Sequence, residues 1–177
     1  MVADGMGTMA SFYSPADVAI SSDGRFALVA DSDRVRRIEI ASGQVTTLTG
    51  SGSDGFSDGT GSMAAFYAPR GVAISSDNKF ALVADSMNYR VRRIEIATAQ
   101  VTTLAGSSEY GNLDGTGSMA AFNAPRGVAI SSDNTFVLVA DQYNNRIRRV
   151  DIATAQVTTL PALPLVPSTG LMTALDR

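Results

Sequence analysis

Three aspartate–arginine pairs form the clearest arrangement of side chains that could carry chemistry. In each pair the aspartate ends one predicted strand and the arginine begins the next. A carboxylate and a guanidinium placed in this way form a two-point, charge-assisted pair that fixes the intervening loop. We therefore predict that these pairs are structural and bind no ligand. The pairs are Asp31 with Arg34, Asp85 with Arg90, and Asp141 with Arg146.

A band of arginines along the predicted third strands raises the alternative of RNA binding. An acidic residue follows each arginine cluster on the same strand face, and the pI is about 4.8, so the positive charge is offset. No aromatic stacking platform accompanies the arginines. We therefore predict no nucleic-acid partner. The band is Arg34, Arg36, Arg37, Arg90, Arg92, Arg93, Arg146, Arg148 and Arg149, and the acidic residues are Glu39, Glu95 and Asp151.

Asp-Gly pairs in the connecting loops raise a second alternative, a ligand-binding or hydrolytic protein that holds calcium through aspartate and asparagine. The aspartates of these pairs are Asp54, Asp58 and Asp114. The D-x-D-x-D-G spacing of a calcium loop is absent, and Asp-Gly is a common turn sequence. We expect no metal ion and no cofactor.

The composition removes the commonest catalytic groups. The 177 residues include no histidine and no cysteine, which excludes Ser-His-Asp and Cys-His nucleophilic sites, thiolate metal sites and disulfide bonds. The chain is 45% hydrophobic and 18% charged, as is typical of a globular protein. We predict that the protein is not an enzyme.

Three copies of one unit account for nearly the whole chain, and they must position these residues. Copy two runs from Asp58 to Gly106 and copy three from Asp114 to Ala162, with most positions identical. Copy one begins at Asp4 and ends at Gly50, and it lacks two residues in one loop. Such close similarity between copies indicates an array of one supersecondary unit.

Each copy predicts four short antiparallel strands joined by tight turns. In copy two the strands are residues 71–75, 79–84, 90–96 and 101–104, and residues 62–66 form one helical turn. Strands that are apolar on both faces must stack against neighbouring copies. The sequence therefore predicts an all-β protein of three four-stranded β-propeller blades, with an open β-solenoid as the alternative.

The repeated segments P-R-G-V-A-I, L-V-A-D-S-x-N-x-R-V-R-R-I and V-T-T-L-A-G resemble NHL repeats. The long insert D-G-T-G-S-M-A-A-F and the period of about 56 residues are similar to a long-insert subgroup of that family. The resemblance covers residues 4 to about 160 and implies a β-propeller, usually of six blades, with an interaction or scaffold role. Copy one departs from the pattern, with Ala16-Asp17 in place of Arg-Gly.

Three blades amount to half of a six-bladed ring. We divide the chain into blade 1 (residues 1–50), blade 2 (51–106), blade 3 (107–160) and a proline-rich tail (161–177). The bare faces of the outer blades need to be covered by a second copy of the chain, by another protein in a larger assembly, or by further blades if the chain is part of a longer propeller. The tail either docks on a partner or folds over the chain's own blade edge, and we favour the second.

The loop between the second and third strands is the predicted partner-facing rim. Copies two and three are nearly identical, yet several of their differences fall in this loop, where binding residues concentrate. The candidates are Met87, Tyr89, Tyr143 and Asn145. Neutral change at exposed positions explains the same differences.

The sequence leaves the cellular compartment open. The first 15 residues contain neither the basic segment nor the apolar run of a signal peptide, and no stretch is long enough to span a membrane. These features favour a soluble intracellular protein without membrane insertion.

Overall fold

The chain folds into three antiparallel sheets that follow the three repeats, in a computed structural model that describes residues 2–161. The prediction of an all-β protein built of propeller blades is confirmed. Among the described residues no helix is long and apolar enough to cross a membrane. The predicted roles of the tail fall on residues 162–177, which lie outside the described residues.

Each sheet contains five strands. In blade 1 they are β1 (Gly5–Met6), β2 (Pro15–Ile20), β3 (Phe26–Asp31), β4 (Arg34–Glu39) and β5 (Gln44–Thr49). In blade 2 they are β6 (Gly59–Thr60), β7 (Pro69–Ile74), β8 (Phe80–Asp85), β9 (Arg90–Glu95) and β10 (Gln100–Ala105). In blade 3 they are β11 (Gly115–Thr116), β12 (Pro125–Ile130), β13 (Phe136–Asp141), β14 (Arg146–Asp151) and β15 (Gln156–Thr159). Short 3-10 helices span Gly7–Met9, Gly61–Met63, Ser86–Asn88, Gly117–Met119 and Gln142–Asn144.

The fifth strand of each sheet was not predicted from the sequence. It comes from the insert that precedes each blade and adds two residues to the outer edge, so that blade 2 has the order β6-β10-β9-β8-β7. Gly59 and Thr60 pair antiparallel with Val101 and Gln100 of β10. A two-residue strand carries no periodicity that a sequence pattern could reveal.

The blades stack through apolar side chains on both faces. We call the face toward the next blade in the chain the leading face and the face toward the previous blade the trailing face. The strand predicted to be buried on both sides, β8, is buried throughout. Between blades 1 and 2 the core joins Phe26 and Leu28 to Phe66 and Val72. The corresponding core between blades 2 and 3 contains Phe80, Leu82, Val91, Phe122, Val137 and Val139.

The turn between the first two long strands of each blade is closed by a serine–aspartate pair. In blade 2 the Ser75 hydroxyl donates to Asp77 at 2.7 Å, and the Lys79 amide donates to the same carboxylate at 3.1 Å. The hydrogen bond from Ser75 is the main reason why the pKa of Asp77 lies below its ordinary value. Asp23 and Asp133 stand in the same way in blades 1 and 3.

We expect the triple variant Asp23→Asn, Asp77→Asn, Asp133→Asn to lose less stability in acid than the wild type. A carboxyl whose folded-state pKa is depressed contributes stability above its unfolded-state pKa and loses it as the pH falls through the folded-state value. The difference should therefore appear below about pH 4. Urea midpoints measured across the acid range test this, and parallel acid losses in the two proteins would contradict it.

Candidate interaction surfaces

A fully buried arginine lies at the centre of every blade. In blade 2, Arg92 donates to Asp85 at 2.7 Å and to Asp58 at 2.7 Å. It also donates to the carbonyl oxygens of Ala65 and Ser57 at 3.1 and 2.7 Å. The guanidinium of Arg92 has four acceptors. Through these hydrogen bonds it connects the insert that precedes blade 2 to the end of β8.

The predicted arginine partners of the three strand-end aspartates were wrong. Asp85 and Arg90 lie opposite each other in the strand register, but the carboxylate of Asp85 pairs with Arg92. Arg90 instead donates to the Asn88 carbonyl at 3.0 Å, and its guanidinium lies 3.8 Å from the centre of the Phe56 ring. The same correction applies to the other predicted pairs: Asp31 pairs with Arg36 rather than Arg34, and Asp141 with Arg148 rather than Arg146.

The acidic residues of the inserts belong to this buried network. Asp58 accepts the Arg92 guanidinium together with the amide and hydroxyl of Thr103, at 3.1 and 3.2 Å. Asp114 repeats the arrangement with Arg148 and Thr159. Burial raises the pKa of Asp114, but the Thr159 amide and hydroxyl and Arg148 outweigh it and hold that pKa below its ordinary value.

An asparagine in the loop completes the network in blades 2 and 3. Asn88 donates to Asp85 at 2.9 Å and to the Gly55 carbonyl at 2.8 Å. Asn144 makes the same two contacts with Asp141 and Gly111. Sequence reasoning assigned no role to these asparagines, although both stand in the repeated N-x-R segment, which was the signal available.

The neighbouring arginines stack on aromatic rings, and in two blades they pair with glutamate. Arg93 lies 3.9 Å from the centre of the Phe80 ring, and its Nε is 2.6 Å from Glu95. Arg37 and Glu39 repeat this pairing in blade 1. Part of the arginine band is thus committed to contacts within the blades. Among residues 2–161 no group of three acidic side chains is placed to hold a metal ion.

The four predicted rim residues lie on one edge of blades 2 and 3, at the 3-10 turns that follow β8 and β13. Met87, Tyr143 and Asn145 are exposed. Tyr89 is half-buried and packs edge-on against Tyr110, with ring centres 6.0 Å apart. Tyr89 and Asn145 both end their turns in the left-handed conformation.

The two outermost blade faces expose apolar residues that are buried at the equivalent internal positions. On the trailing face of blade 1, Val18 is 58% exposed, whereas its equivalent Val72 in blade 2 is 4% exposed. On the leading face of blade 3, Ile147 is 45% exposed, whereas its equivalent Val91 is fully buried. Ile20 and Ile40 extend the exposed trailing face.

An open groove lies beside the leading face of blade 3. Its volume is about 930 Å³. Ile147 and Leu160 belong to the apolar part of its wall, and Asp114, Asp141 and Asn144 belong to the polar part. The groove therefore joins the exposed leading face to the edge of the buried arginine network.

The chain is similar to curated proteins over most of its length. It is 31% identical over 164 residues to NHL repeat-containing protein 2 of Bos taurus, an alignment that covers 86% of this chain and 23% of that protein. It is 30% identical over 181 residues to Protein SUPPRESSOR OF QUENCHING 1, chloroplastic, of Arabidopsis thaliana, covering 94% of this chain and 17% of that protein. The chain spans less than a quarter of the length of these relatives. No family model matches it.

Solved structures share the fold at low sequence identity. An auxiliary nutrient binding protein from Bacteroides ovatus superposes with a TM-score of 0.66 at 21% identity, over 81% of this chain and 37% of that chain. A putative phosphatase from Bacteroides thetaiotaomicron superposes with a TM-score of 0.65 at 18% identity, over 83% of this chain and 35% of that chain. At these identities the likeness extends to the fold alone.

Proposed function

Since the chain belongs to the NHL-repeat β-propeller family, we propose that it is a non-enzymatic interaction module that docks on other propeller blades. In this role the chain serves as a structural unit of a larger assembly. Its outermost blade faces bind another polypeptide through the same type of surface that holds its own blades together.

The contrast between equivalent residues on inner and outer faces is the observation that supports this function. Val18 and Val72 are the same residue at the same position of the repeat, yet only Val72 is covered. Contiguous apolar surface of this kind on a soluble protein marks an interaction site. We expect another propeller blade to cover the outer faces, because propeller blades cover the equivalent faces at the two junctions within the chain.

The buried polar network supports a structural role rather than catalysis. The carboxylates of Asp58 and Asp85 are each bound by an arginine and by further donors, so neither is left free to act as a base. The arginines that would attract RNA are partly paired with glutamate, as Arg93 is with Glu95. The likeness to a putative phosphatase concerns the fold alone.

The rim supplies a second surface in this proposal. Met87 and Tyr143 are exposed on the same edge of adjacent blades, and Asn145 lies beside Tyr143. Methionine and tyrosine are enriched in protein interfaces. We assign this rim to a protein partner that binds the assembled blades, while the outer blade faces complete the assembly itself.

Site-specific photo-crosslinking tests the docking function in the cells that make the protein. A photo-reactive residue in place of Val18 or Ile147 should give crosslinks to another polypeptide, because both positions lie on the outer faces. The control places the same residue at Lys79, whose side chain is exposed on a turn away from these faces. Crosslinks at the two face positions that exceed those at Lys79 are the expected result.

Equal or absent crosslinking at all three positions would contradict the docking function. The mass of the crosslinked product also separates a second copy of the chain from a different polypeptide. The docking function is satisfied by either product, provided that the crosslinks are confined to the faces.

A further inference from the structure

We propose that the polypeptide on the outer faces is a second copy of this chain, with its blade 1 docked on blade 3 of the first copy. The inference rests on the proposed docking function and names its partner. The trailing face of blade 1 meets the leading face of blade 3, and the insert of residues 3–12 in the second copy enters the open groove.

The two junctions within the chain provide the template for this contact. The insert that precedes blade 2 places Phe66 in the core between blades 1 and 2, and the insert that precedes blade 3 places Phe122 in the next core. Phe12 is the equivalent residue of the first insert, and it is half-buried and belongs to neither of the two cores between blades. Among residues 2–161, no insert covers the leading face of blade 3.

The sequence of the first insert is similar enough to the two later inserts to pack against the leading face of blade 3 in the same way. Residues 4–12 read D-G-M-G-T-M-A-S-F, against D-G-T-G-S-M-A-A-F in both later copies. The glycine turn, the 3-10 helix Gly7–Met9 and the aspartate bound to the buried arginine are all present in blade 1. The leading face of blade 3 likewise retains the residue types of blade 2: Phe136, Leu138, Ile147 and Leu160 stand where blade 2 has Phe80, Leu82, Val91 and Leu104.

In a dimer, each copy covers both outer blade faces of the other copy. Each copy offers one leading face and one trailing face, so a two-fold axis between the copies pairs all four faces in two identical junctions. A closed ring of two chains leaves no apolar blade face exposed. An arrangement that does not close would instead grow into a filament.

One polar contact found at both internal junctions would be missing from the junction between copies. At the first junction Asn78 accepts a hydrogen bond from the Ser22 amide at 2.9 Å. At the second, Asn134 accepts from the Ser76 amide at 2.9 Å and donates to the Ser76 hydroxyl at 2.9 Å. Between copies the equivalent residues are Ser132 of the first copy and Gly24 of the second, and glycine has no amide side chain.

The substitution Gly24→Asn restores this contact and tests the inference by strengthening the association. Gly24 has φ +69° and Asn78 has φ 58°, and nothing lies within 4 Å of a Cβ built at Gly24, so the fold accepts asparagine there. One added hydrogen bond corresponds to about a fivefold gain in affinity, and two junctions to about 25-fold. Sedimentation of the purified full chain over a dilution series measures the dissociation constant.

The control is Gly43→Ala, at a glycine with the same φ of +69°. Blades 2 and 3 carry Ala99 and Ala155 at this position, in the turn before β10 and β15. The control therefore introduces the residue found in the other two repeats, but its side chain forms no hydrogen bond to another blade. We expect a dimer of the 18.4 kDa chain that tightens in Gly24→Asn and is unchanged in Gly43→Ala.

Three results would overturn the inference. The dissociation constant of the dimer could be the same in Gly24→Asn as in the wild type, the chain could form species larger than a dimer, or it could stay monomeric at every concentration. The proposed docking function would still hold after any of these results if Val18 crosslinks to a polypeptide other than a second copy of the chain. The docking function fails only when the crosslinks fail, so the two outcomes are distinguishable.

Discussion

Replacing Arg92 with alanine is expected to lower the free energy of unfolding by about 3–5 kcal/mol. Arg92 is fully buried and donates to Asp85 and Asp58. The substitution leaves Asp85 as a buried charge without its cation. It also removes one of the two donors to each of the carbonyl oxygens of Ala65 and Ser57, which keep only the backbone hydrogen bonds that these two residues make with each other.

The next residue in the chain is the matched control. Arg93 lies on the other face of β9, where its side chain is partly exposed and contacts Glu95 and the Phe80 ring. Arg93→Ala should cost only about 1 kcal/mol, because a partly exposed pair is screened by water. Urea denaturation of both variants measures the difference, and equal losses for the two arginines would contradict the structural role assigned to the buried one.

Placing a charge between two blades should have an effect of similar size. Val72→Asp buries a carboxylate in the apolar core between blades 1 and 2, where Val72 is 4% exposed. We expect a loss of about 3–5 kcal/mol in the free energy of unfolding, because the new charge has no partner there. Thermal and urea unfolding report the loss.

The equivalent substitution in blade 1, Val18→Asp, should affect assembly without affecting the folding of the monomer. Val18→Asp lies on the outer trailing face, where the side chain is already exposed. The monomer should fold with nearly unchanged stability, while docking on the leading face of another blade is abolished. Circular dichroism and sedimentation measure the two properties. An unfolded Val18→Asp chain, or one that assembles like the wild type, would contradict the assignment of this face.

The repeat architecture followed from the sequence because it depends on local patterns that recur. The alternation of apolar residues and the Ser-Asp-Asn turns fix the four long strands of each blade without reference to distant residues. The fifth strand escaped prediction because Gly59–Thr60 becomes a strand only by lying beside β10, some 40 residues later. Pairing of that kind is set by tertiary packing.

The choice between neighbouring arginines illustrates the same limit. The sequence places Arg90 and Arg92 on one face of the strand, since side chains alternate along it. Which of the two is buried depends on the carbonyl oxygens of Ala65 and Ser57, which the insert brings from 27 and 35 residues away. The nearer arginine was the natural choice from spacing alone, and it was wrong for that reason.

Hydroxyl-radical footprinting of the native assembly tests most directly whether the outer blade faces are covered. We predict that Val18, Ile20 and Ile147 react slowly, as buried residues do, although the single chain exposes them. Met63 and Met119, on the exposed 3-10 turns, provide internal standards that should react fast. Oxidation of the three face residues at the rate expected for the single chain would contradict the claim that these faces dock other blades.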